Sequence, residues 1–215
     1  MQISPPARLL AFTRYLILGL FLCASPALAD AAGNPAEALV ANNIQKGLEI
    51  LNDTKLSAAQ RRAEFQTFLL GVTDMKRIAV FTLGQYGRTA SPADKDAFDA
   101  AFQDYAVAVY QSYFDKYAGQ TLKVISSSEH APDDYIVTTS MIDPADHSGQ
   151  TPLSISFRVR TDTGTPVIVD FSVEGIWLAL EERDQFSAFL GQNGGSIPAL
   201  ISHLNELRSK FVEAR

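Results

Sequence analysis

Two neighbouring segments near the C-terminal end of the chain alternate apolar and polar side chains, the pattern of half-buried β-strands. In residues 152–160, Leu153, Ile155, Phe157 and Val159 point one way, and Ser154, Ser156, Arg158 and Arg160 point the other. Residues 166–174 repeat the pattern, with Val167, Val169, Phe171 and Val173 on one side and Asp170, Ser172 and Glu174 on the other. Two adjacent strands therefore share one dry face, which helices must cover.

The order of the remaining segments predicts an α+β fold, because runs of helices flank a run of strands. Helices are expected from Pro35 to about Leu51, from a cap at Ser57 through Val72, from Asp74 to Tyr86, and from Ser91 to about Tyr117, with more helix after the last strand. Residues 121–127 and 135–142 add two strands, and the turn sequences APDD and TDTGT join neighbouring strands into antiparallel hairpins.

The N-terminal segment has the features of a secretion signal. Two arginines precede an apolar run over residues 15–22, and the small residues Ala27 and Ala29 follow. This pattern predicts a signal peptide over residues 1–29 that is cleaved to leave Asp30 as the new N-terminus. The apolar run is far shorter than the roughly 20 residues that span a bilayer, so it does not predict a membrane anchor.

Cleavage leaves 186 residues and no cysteine, because Cys23 is the only cysteine in the chain. Core packing rather than disulfides must then stabilise the protein. A chain of this length buries about 70% of its unfolded surface as one domain, so residues 30–215 are expected to form a single domain. Removal of two arginines changes the net charge from −6 to −8, which argues against binding to nucleic acid or to anionic headgroups.

The helix expected after Ser91 is the candidate cover for the dry sheet face. Its apolar residues recur every three or four positions, at Phe98, Phe102, Tyr105, Val109, Tyr113 and Tyr117. An ordinary filled core would explain such a stripe. The chain also carries Phe65, Phe68, Phe81, Tyr86, Tyr110 and Phe114, which is more aromatic bulk than one sheet face requires. A cavity between a curved sheet and aromatic helices is the alternative, since apolar ligand pockets are lined by such residues.

Two blocks of the sequence resemble one known family. The first block contains Asp74, Ile78, Ala79, Leu83, Gly84 and Tyr86, followed by Ser91 and Pro92. The second contains Val169, Asp170, Val173, Glu174, Gly175 and Ile176, then Arg183 and Phe186, then Gly194, Gly195, Ile197 and Leu200. Together they resemble the periplasmic phospholipid-binding proteins of the maintenance-of-lipid-asymmetry pathway, also called the toluene-tolerance family. The resemblance covers most of the chain after the signal peptide.

This resemblance implies a curved antiparallel sheet covered by helices, similar to nuclear transport factor folds, with an interior apolar cavity that accepts acyl chains. It implies a monomeric phospholipid carrier in the periplasm that needs no cofactor. The implied partners are an inner-membrane ABC transporter with an MCE-domain protein and an outer-membrane lipoprotein–porin complex. Gly87 stands where the family often carries tryptophan, and Trp177 stands at a position that is usually small and polar. A different cargo, such as a hopanoid, is therefore an alternative.

Strand alternation, helix periodicity and the resemblance together predict the residues that line the cavity. These are Leu83, Tyr86, Phe98, Phe102, Tyr105, Val109, Tyr113, Ile155, Phe157, Val159, Val169, Phe171, Val173 and Trp177. A structural role is predicted for Gly175, which permits a bend after the strand. Asp170 or Glu174 is predicted to pair with Arg183 and so to tie the last helices to the sheet.

Asp170 and Glu174 also carry the enzymatic alternative, a cavity isomerase or hydratase, because they share one strand face. The sequence contains no Gly-x-Ser-x-Gly or Walker motif and no paired metal-ligand spacing. Asp143, Asp146 and His147 stand close together among turn residues, so a solvated turn is predicted there rather than a metal site. We therefore predict a carrier without catalytic residues or metal. A lipid-free adaptor with a filled core is the third alternative.

Overall fold

The computed structural model of the protein describes residues 34–112, 117–147, 149 and 151–213. The helices are α1 (Pro35–Asn52), α2 (Ala58–Val72), α3 (Met75–Thr82), α4 (Tyr86–Thr89), α5 (Pro92–Ser112), α6 (Leu178–Gln192) and α7 (Ile197–Glu213). The strands are β1 (Thr121–Ala131), β2 (Asp134–Ile142), β3 (Ser154–Arg160), β4 (Val167–Val173) and β5 (Ile176–Trp177). The predicted α+β class is confirmed. The predicted signal peptide, Cys23 and Tyr113 lie outside the described residues.

The five strands form one open antiparallel sheet in the order β1-β2-β3-β4-β5. Each strand pairs with the next one along the chain, as the predicted hairpins require. The tight turn between β1 and β2 places Asp133 at a φ of 59°, a left-handed conformation that short polar residues tolerate. Tight turns of this kind also join β4 to β5, where Glu174 and Gly175 have φ values of 51° and 82°.

Local sequence signals explain where the helices begin. Ser57 and Gln60 form a capping box at the start of α2, each side chain bonding the other residue's backbone N–H. At the start of α5 the Ser91 hydroxyl accepts a hydrogen bond from the Asp94 backbone N–H at 3.1 Å. The end of α6 is closed by Gly195, whose N–H donates to the Leu190 carbonyl at 2.8 Å.

Two clusters of buried apolar side chains form the core. The helical cluster comes from α3 with its C-cap residue Leu83, and from α5, α6 and α7: Met75, Ala79, Leu83, Phe98, Ala101, Phe102, Ala106, Phe186, Leu190, Ile197, Leu200 and Leu204. The sheet cluster consists of Ala36 and Val40 from α1 with Val137, Val159 and Ile168 from the sheet. The two clusters have no member in common, so the core is divided between a bundle of helices and a helix packed on a sheet.

A chain of ion pairs runs along one end of the sheet and reaches α3. Arg77 on α3 donates two hydrogen bonds to the Asp162 carboxylate, at 2.8 and 3.1 Å. Arg160 lies 3.2 Å from Asp162 and 3.4 Å from Asp134. Arg158 binds Asp134 through two of its nitrogens, the shorter contact being 2.6 Å. The Asp134 side chain is only 2% exposed, so its ion pairs with the two arginines are strong. Through Asp162, the same chain of ion pairs links α3 to β3 and β2.

Candidate functional site

The dry sheet face predicted from the sequence is present on β3 and β4. Antiparallel partners point to the same side of a sheet, and Ile155 pairs with Val173 while Phe157 pairs with Phe171. Val159, next in the row, is buried in the sheet cluster. The four side chains of the two pairs, Ile155, Val173, Phe157 and Phe171, are only half-buried. The row therefore continues from filled core into a region that is incompletely filled.

The predicted position of Val167 in this row is wrong. The register shifts between Arg158 and Val159, so that Ile168 lies opposite Val159 and Val167 lies opposite Arg160. An extra residue on β4 causes this, because a bulge moves every following side chain by one position relative to strict alternation. Ile168 consequently joins the buried sheet cluster, and Val169 lies half-buried at the bulge.

Three half-buried aromatic rings connect the two clusters, and we call them the aromatic bridge: Tyr110, Phe171 and Phe157. The Tyr110 ring on α5 lies 5.6 Å from the Phe171 ring, and Phe171 lies 6.4 Å from Phe157. Tyr110 packs against the helical cluster, whereas Phe157 packs against the sheet cluster. The bridge thus spans the gap between the bundle and the sheet, where each ring retains some exposure.

Helix α2 contacts both clusters near its C-terminal end. None of its residues is buried, although Leu69 packs against the helical cluster and Val72 against the sheet cluster. An open groove of about 610 Å³ runs between α1 and α2. It is lined by Lys46, Glu49, Ile50, Asp53, Ala63, Glu64, Thr67 and Phe68. This groove does not include the aromatic bridge, and the bridge with the half-buried sheet row is the candidate site for an apolar ligand.

The structure distributes the predicted cavity residues over different places. Leu83, Phe98 and Phe102 are buried in the helical cluster, with Tyr86 and Tyr105 packed against it. Phe98 and Phe102 both contact the Phe186 ring edge-on, at 6.0 and 6.3 Å, as side chains in a filled core do. These residues do not lie together with the sheet row of the candidate site.

The sheet residues of the prediction lie closer together. Ile155, Phe157, Val159, Phe171 and Val173 follow one face of β3 and β4. The remaining predicted residues Val109, Val169 and Trp177 are half-buried, on α5, on β4 and on the short strand β5. Tyr113 lies outside the described residues.

Sequence reasoning missed one contributor to this region and one buried polar residue. Tyr110 is absent from the predicted cavity residues because the predicted stripe runs through its neighbour Val109. Steps of three and four residues from Phe102 reach Val109 through Tyr105 and Tyr110 through Ala106, so the spacing alone does not decide between them. The second is Glu182, whose carboxyl lies inside the protein. Its position in a run of charged residues, LEERD, gives no sign of burial.

Glu182 and Tyr105 form a polar contact between α6 and α5. The Tyr105 hydroxyl donates a hydrogen bond to Glu182 Oε1 at 3.0 Å. The second oxygen, Oε2, is buried and has no hydrogen-bond partner among the described residues. Burial raises the pKa of Glu182, the Tyr105 hydrogen bond opposes this increase, and the neighbouring Glu181 charge adds to it.

The predicted ion pair between Arg183 and Asp170 or Glu174 is wrong. Among the described residues, Arg183 forms its ion pair with Asp184 at 3.2 Å, and its guanidinium lies 5.2 Å from the centre of the Phe81 ring. Glu174 occupies the left-handed turn that ends β4, from which its carboxylate accepts a hydrogen bond from the Ser154 backbone N–H. The turn therefore directs Glu174 back to β3 and away from α6.

Asp170 binds the start of α6 instead of an arginine on it. Its Oδ1 accepts hydrogen bonds from the Phe171 N–H at 2.8 Å and the Ala179 N–H at 2.9 Å. A carboxylate is favourable at this end of a helix because the free N–H groups there carry partial positive charge. Burial raises the pKa of Asp170, while the two backbone N–H groups and the Arg158 charge lower it.

The described residues provide neither a metal centre nor a helix that could span a bilayer. No group of three histidine, cysteine, aspartate or glutamate side chains within the described ranges could hold a metal ion. Asp143, discussed above as a weak metal candidate, accepts hydrogen bonds from the Ala145 N–H at 2.9 Å and the Gln120 amide at 3.1 Å, consistent with a turn. The described helices all fall short of the length and apolar character that a membrane span requires.

Comparison with known proteins gives two findings. The sequence matches the family described as MlaC protein over residues 41–206. The fold matches the structure of a phospholipid-binding protein from Ralstonia solanacearum, solved in complex with a phospholipid, with a TM-score of 0.71. The two chains are 19% identical, and the match covers 82% of this chain and 98% of the Ralstonia chain.

Proposed function

This chain belongs to the MlaC family, and on that premise we propose that it binds one diacyl phospholipid at the aromatic bridge and carries it across the periplasm. The observation that supports this proposal is the aromatic bridge. Its three rings remain half-buried in a protein whose neighbouring clusters are well filled. A ligand with apolar chains would complete the burial of these rings and of their neighbours on the same sheet face, Ile155 and Val173.

A carrier of this kind must remove acyl chains from contact with water. Two chains with about 30 methylene groups represent roughly 24 kcal/mol of apolar transfer at about 0.8 kcal/mol per methylene, before ordering costs. An apolar site that replaces the bilayer makes the transfer nearly balanced in free energy. The direction of transport is then determined by the membrane complexes that load and unload the carrier, and the protein needs no chemical step of its own.

The cellular part of the proposal follows from family membership and from the sequence. We expect the signal peptide over residues 1–29 to direct the chain to the periplasm, where residues 30–215 act as a single domain. The expected partners are an inner-membrane ABC transporter with an MCE-domain protein and an outer-membrane lipoprotein–porin complex. The expected role is maintenance of the lipid asymmetry of the outer membrane.

The contacts of Asp170 and Glu174 favour a structural role over the enzymatic alternative. Both carboxylates accept hydrogen bonds from backbone N–H groups. Asp170 also pairs across the sheet with Arg158, so it points to the face opposite the aromatic bridge. A general acid or base acting on a ligand in the candidate site would have to lie on the other face.

Native mass spectrometry of the chain starting at Asp30, followed by lipid extraction, tests the proposal. We expect a mass shift equal to one diacyl phospholipid, and the extract would distinguish it from a hopanoid. A chain that purifies without lipid and does not take up added phospholipid would contradict the carrier function and would favour the adaptor.

A pair of variants locates the site. Phe171→Ala removes the central ring of the aromatic bridge, and we expect it to lower lipid occupancy by about tenfold or more because the ring contacts both neighbouring aromatic residues. Phe189→Ala is the matched control. Phe189 is also half-buried, but it stacks on His203 at 4.6 Å on the α6–α7 side of the helical bundle. Equal losses in the two variants would argue against a site at the bridge.

A further inference from the structure

The Asn43 side chain on α1 carries a buried hydrogen-bond donor without a partner. The residue as a whole is half-buried, but its Nδ2 atom is shielded from solvent and makes no hydrogen bond to any of the described residues. A buried amide N–H that pairs with nothing is unfavourable, because it has lost its contact with water without gaining another. A ligand that supplies an acceptor at this point would remove the penalty.

The direction of the Asn43 side chain follows from its neighbours on α1. Residues spaced by three along a helix differ in direction by about 60°, always in the same sense. The Glu37 carboxylate accepts a hydrogen bond from the edge strand β1 at 2.7 Å, Val40 packs on the sheet, and Lys46 lines the groove between α1 and α2. Asn43 comes between Val40 and Lys46 in this series, so it points into the space between the sheet and α2.

The two ends of α1 determine where Asn43 lies along the sheet. At the N-terminal end, the Asn34 amide donates to the Ser127 hydroxyl of β1 at 3.1 Å. At the other end, the Asn52 amide donates to the hydroxyl of Tyr117, which precedes β1, at 3.1 Å. Helix α1 therefore runs antiparallel to β1, and Asn43 lies midway between the two contacts.

In this direction the dry sheet face changes from filled core to the half-buried row. Residue 127 of β1 pairs with Val137 of the sheet cluster, and the next cross-strand row on the same face consists of Thr139, Ile155 and Val173. Ile155 and Val173 are the half-buried residues of the candidate site, and the Thr139 hydroxyl donates to the Ile155 carbonyl at 2.8 Å. The Asn43 amide thus faces a part of the candidate site whose walls are mainly apolar.

On the basis of the proposed function, we infer that Asn43 donates a hydrogen bond from Nδ2 to an ester carbonyl oxygen of the bound lipid. An ester carbonyl is attached directly to an acyl chain, so it is the acceptor that accompanies the chain into an apolar site. Asn43 then distinguishes acyl esters from alkyl ethers, whose chains are equally apolar but lack the carbonyl. Selectivity arises because a site built around a hydrogen bond disfavours a ligand that leaves its buried donor unpaired.

Competition between two lipids tests the inference. The chain starting at Asp30, stripped of lipid, is offered equal amounts of dioleoyl phosphatidylglycerol and its dialkyl ether counterpart in detergent, and bound lipid is quantified by native mass spectrometry. We expect a roughly three- to tenfold preference for the ester lipid, the range that one net hydrogen bond supplies. Asn43→Leu should reduce this preference to about one. Asn42→Leu is the matched control and should keep the preference, since Asn42 is the adjacent asparagine on α1 but is exposed.

The thermal stability of the lipid-free chain separates this role from a purely structural one. An amide that serves only the bound lipid stays unpaired in the lipid-free chain, and leucine removes this buried polar group from a mainly apolar surrounding. Asn43→Leu should therefore keep the Tm of the lipid-free chain or raise it by up to about 4 °C. A fall of several degrees would mean that the protein itself pairs the amide, and would overturn the inference.

Infrared spectroscopy of the bound ester lipid reports on the hydrogen bond directly, because a hydrogen-bonded ester carbonyl stretches at lower frequency than a free one. Lipid with a ¹³C label at the carbonyl carbons should show a low-frequency component in the unchanged chain and in Asn42→Leu, and should lose it in Asn43→Leu. A low-frequency component that persists in Asn43→Leu would assign the hydrogen bond to another donor and so overturn the inference.

Failure of the inference and failure of the carrier function give different results. Equal binding of the two lipids by the unchanged chain, or a preference that persists in Asn43→Leu, would overturn the inference while leaving the carrier function intact. If the unchanged chain binds neither lipid, the carrier function is wrong, and the inference with it.

Discussion

Helices α7 and α2 are similar in length, 17 and 15 residues, but they contribute to the core very differently. α7 buries Ile197, Leu200 and Leu204 in the helical cluster, whereas α2 buries no residue. Helix α7 is thus packed into the helical cluster, whereas α2 lies at the surface of the clusters that it contacts. The well-packed contacts therefore lie with α7 and the helical cluster rather than with α2.

The two helices also differ in how they are attached. The capping box of Ser57 and Gln60 holds the first turn of α2, and two residues beyond its other end the Asp74 backbone N–H donates to the Ile168 carbonyl at 3.1 Å. Between these attached ends, Gln111 of α5 donates a hydrogen bond to the Arg62 carbonyl at 3.3 Å. A helix that buries no residue is expected to open locally at a lower free-energy cost than one packed in the core.

The largest expected effect comes from truncating one leucine on each helix. Leu200→Ala on α7 should lower the free energy of unfolding by about 2–5 kcal/mol, because a fully buried leucine leaves a cavity. Leu69→Ala on α2 should cost about 1 kcal/mol, since Leu69 is only half-buried. Urea unfolding followed by circular dichroism measures both. Equal losses would remove the distinction between the two helices.

A second, smaller effect on stability concerns the ion pairs that Asp134 makes with Arg158 and Arg160. The hydrogen bonds from Arg158 lower the pKa of Asp134, burial opposes this, and the charges of Arg158, Arg160 and His130 lower it further. A carboxyl with a lowered folded-state pKa stabilises the protein above its unfolded-state pKa of about 3.9 and loses this contribution as the pH falls through the folded-state value.

Asp134→Asn should therefore lower the free energy of unfolding by about 1–3 kcal/mol at pH 7, as expected for lost hydrogen bonds to charged groups. The difference from the unchanged chain should shrink as the pH falls below about 4, because Asp134 is protonated first in the unfolded chain and only at lower pH in the folded protein. Urea titrations between pH 7 and pH 3 measure this. If the difference in the free energy of unfolding between the two proteins stays constant over that range, the charge of Asp134 does not contribute to stability. The exposed Asp184→Asn is the control, with an expected change within about 0.5 kcal/mol.

The sequence was sufficient for the fold because its local signals agree with one another. Capping residues such as Ser57 and Ser91 mark helix starts, and period-two alternation marks the strands. It was not sufficient for the register of β4. A single extra residue moves Val167 off the dry face, and nothing in the composition of β4 distinguishes a bulged strand from a regular one.

The sequence also could not decide which apolar side chains fill the core and which border a space. Phe102 and Phe171 occupy equally apolar positions in their patterns, yet one is buried among helices and the other is half-buried on the sheet. Periodicity gives the direction of a side chain but not the distance to the element that faces it. The Arg183 pairing failed for a related reason, because the left-handed turn at Glu174 redirects that carboxylate.

The smallest expected effect tests directly how α2 rests on α1. A Cβ added at Gly47 of α1 would lie 3.6 Å from the Phe68 ring of α2, an ordinary contact, whereas one added at Gly71 would meet nothing within 4 Å. Alanine at either helical position should raise the free energy of unfolding by about 0.5–1 kcal/mol through backbone entropy. Gly47→Ala should gain a few tenths of a kcal/mol more through the added contact, as thermal unfolding would measure. If the two variants gain equally, the Phe68 ring does not pack on α1 at Gly47 in solution.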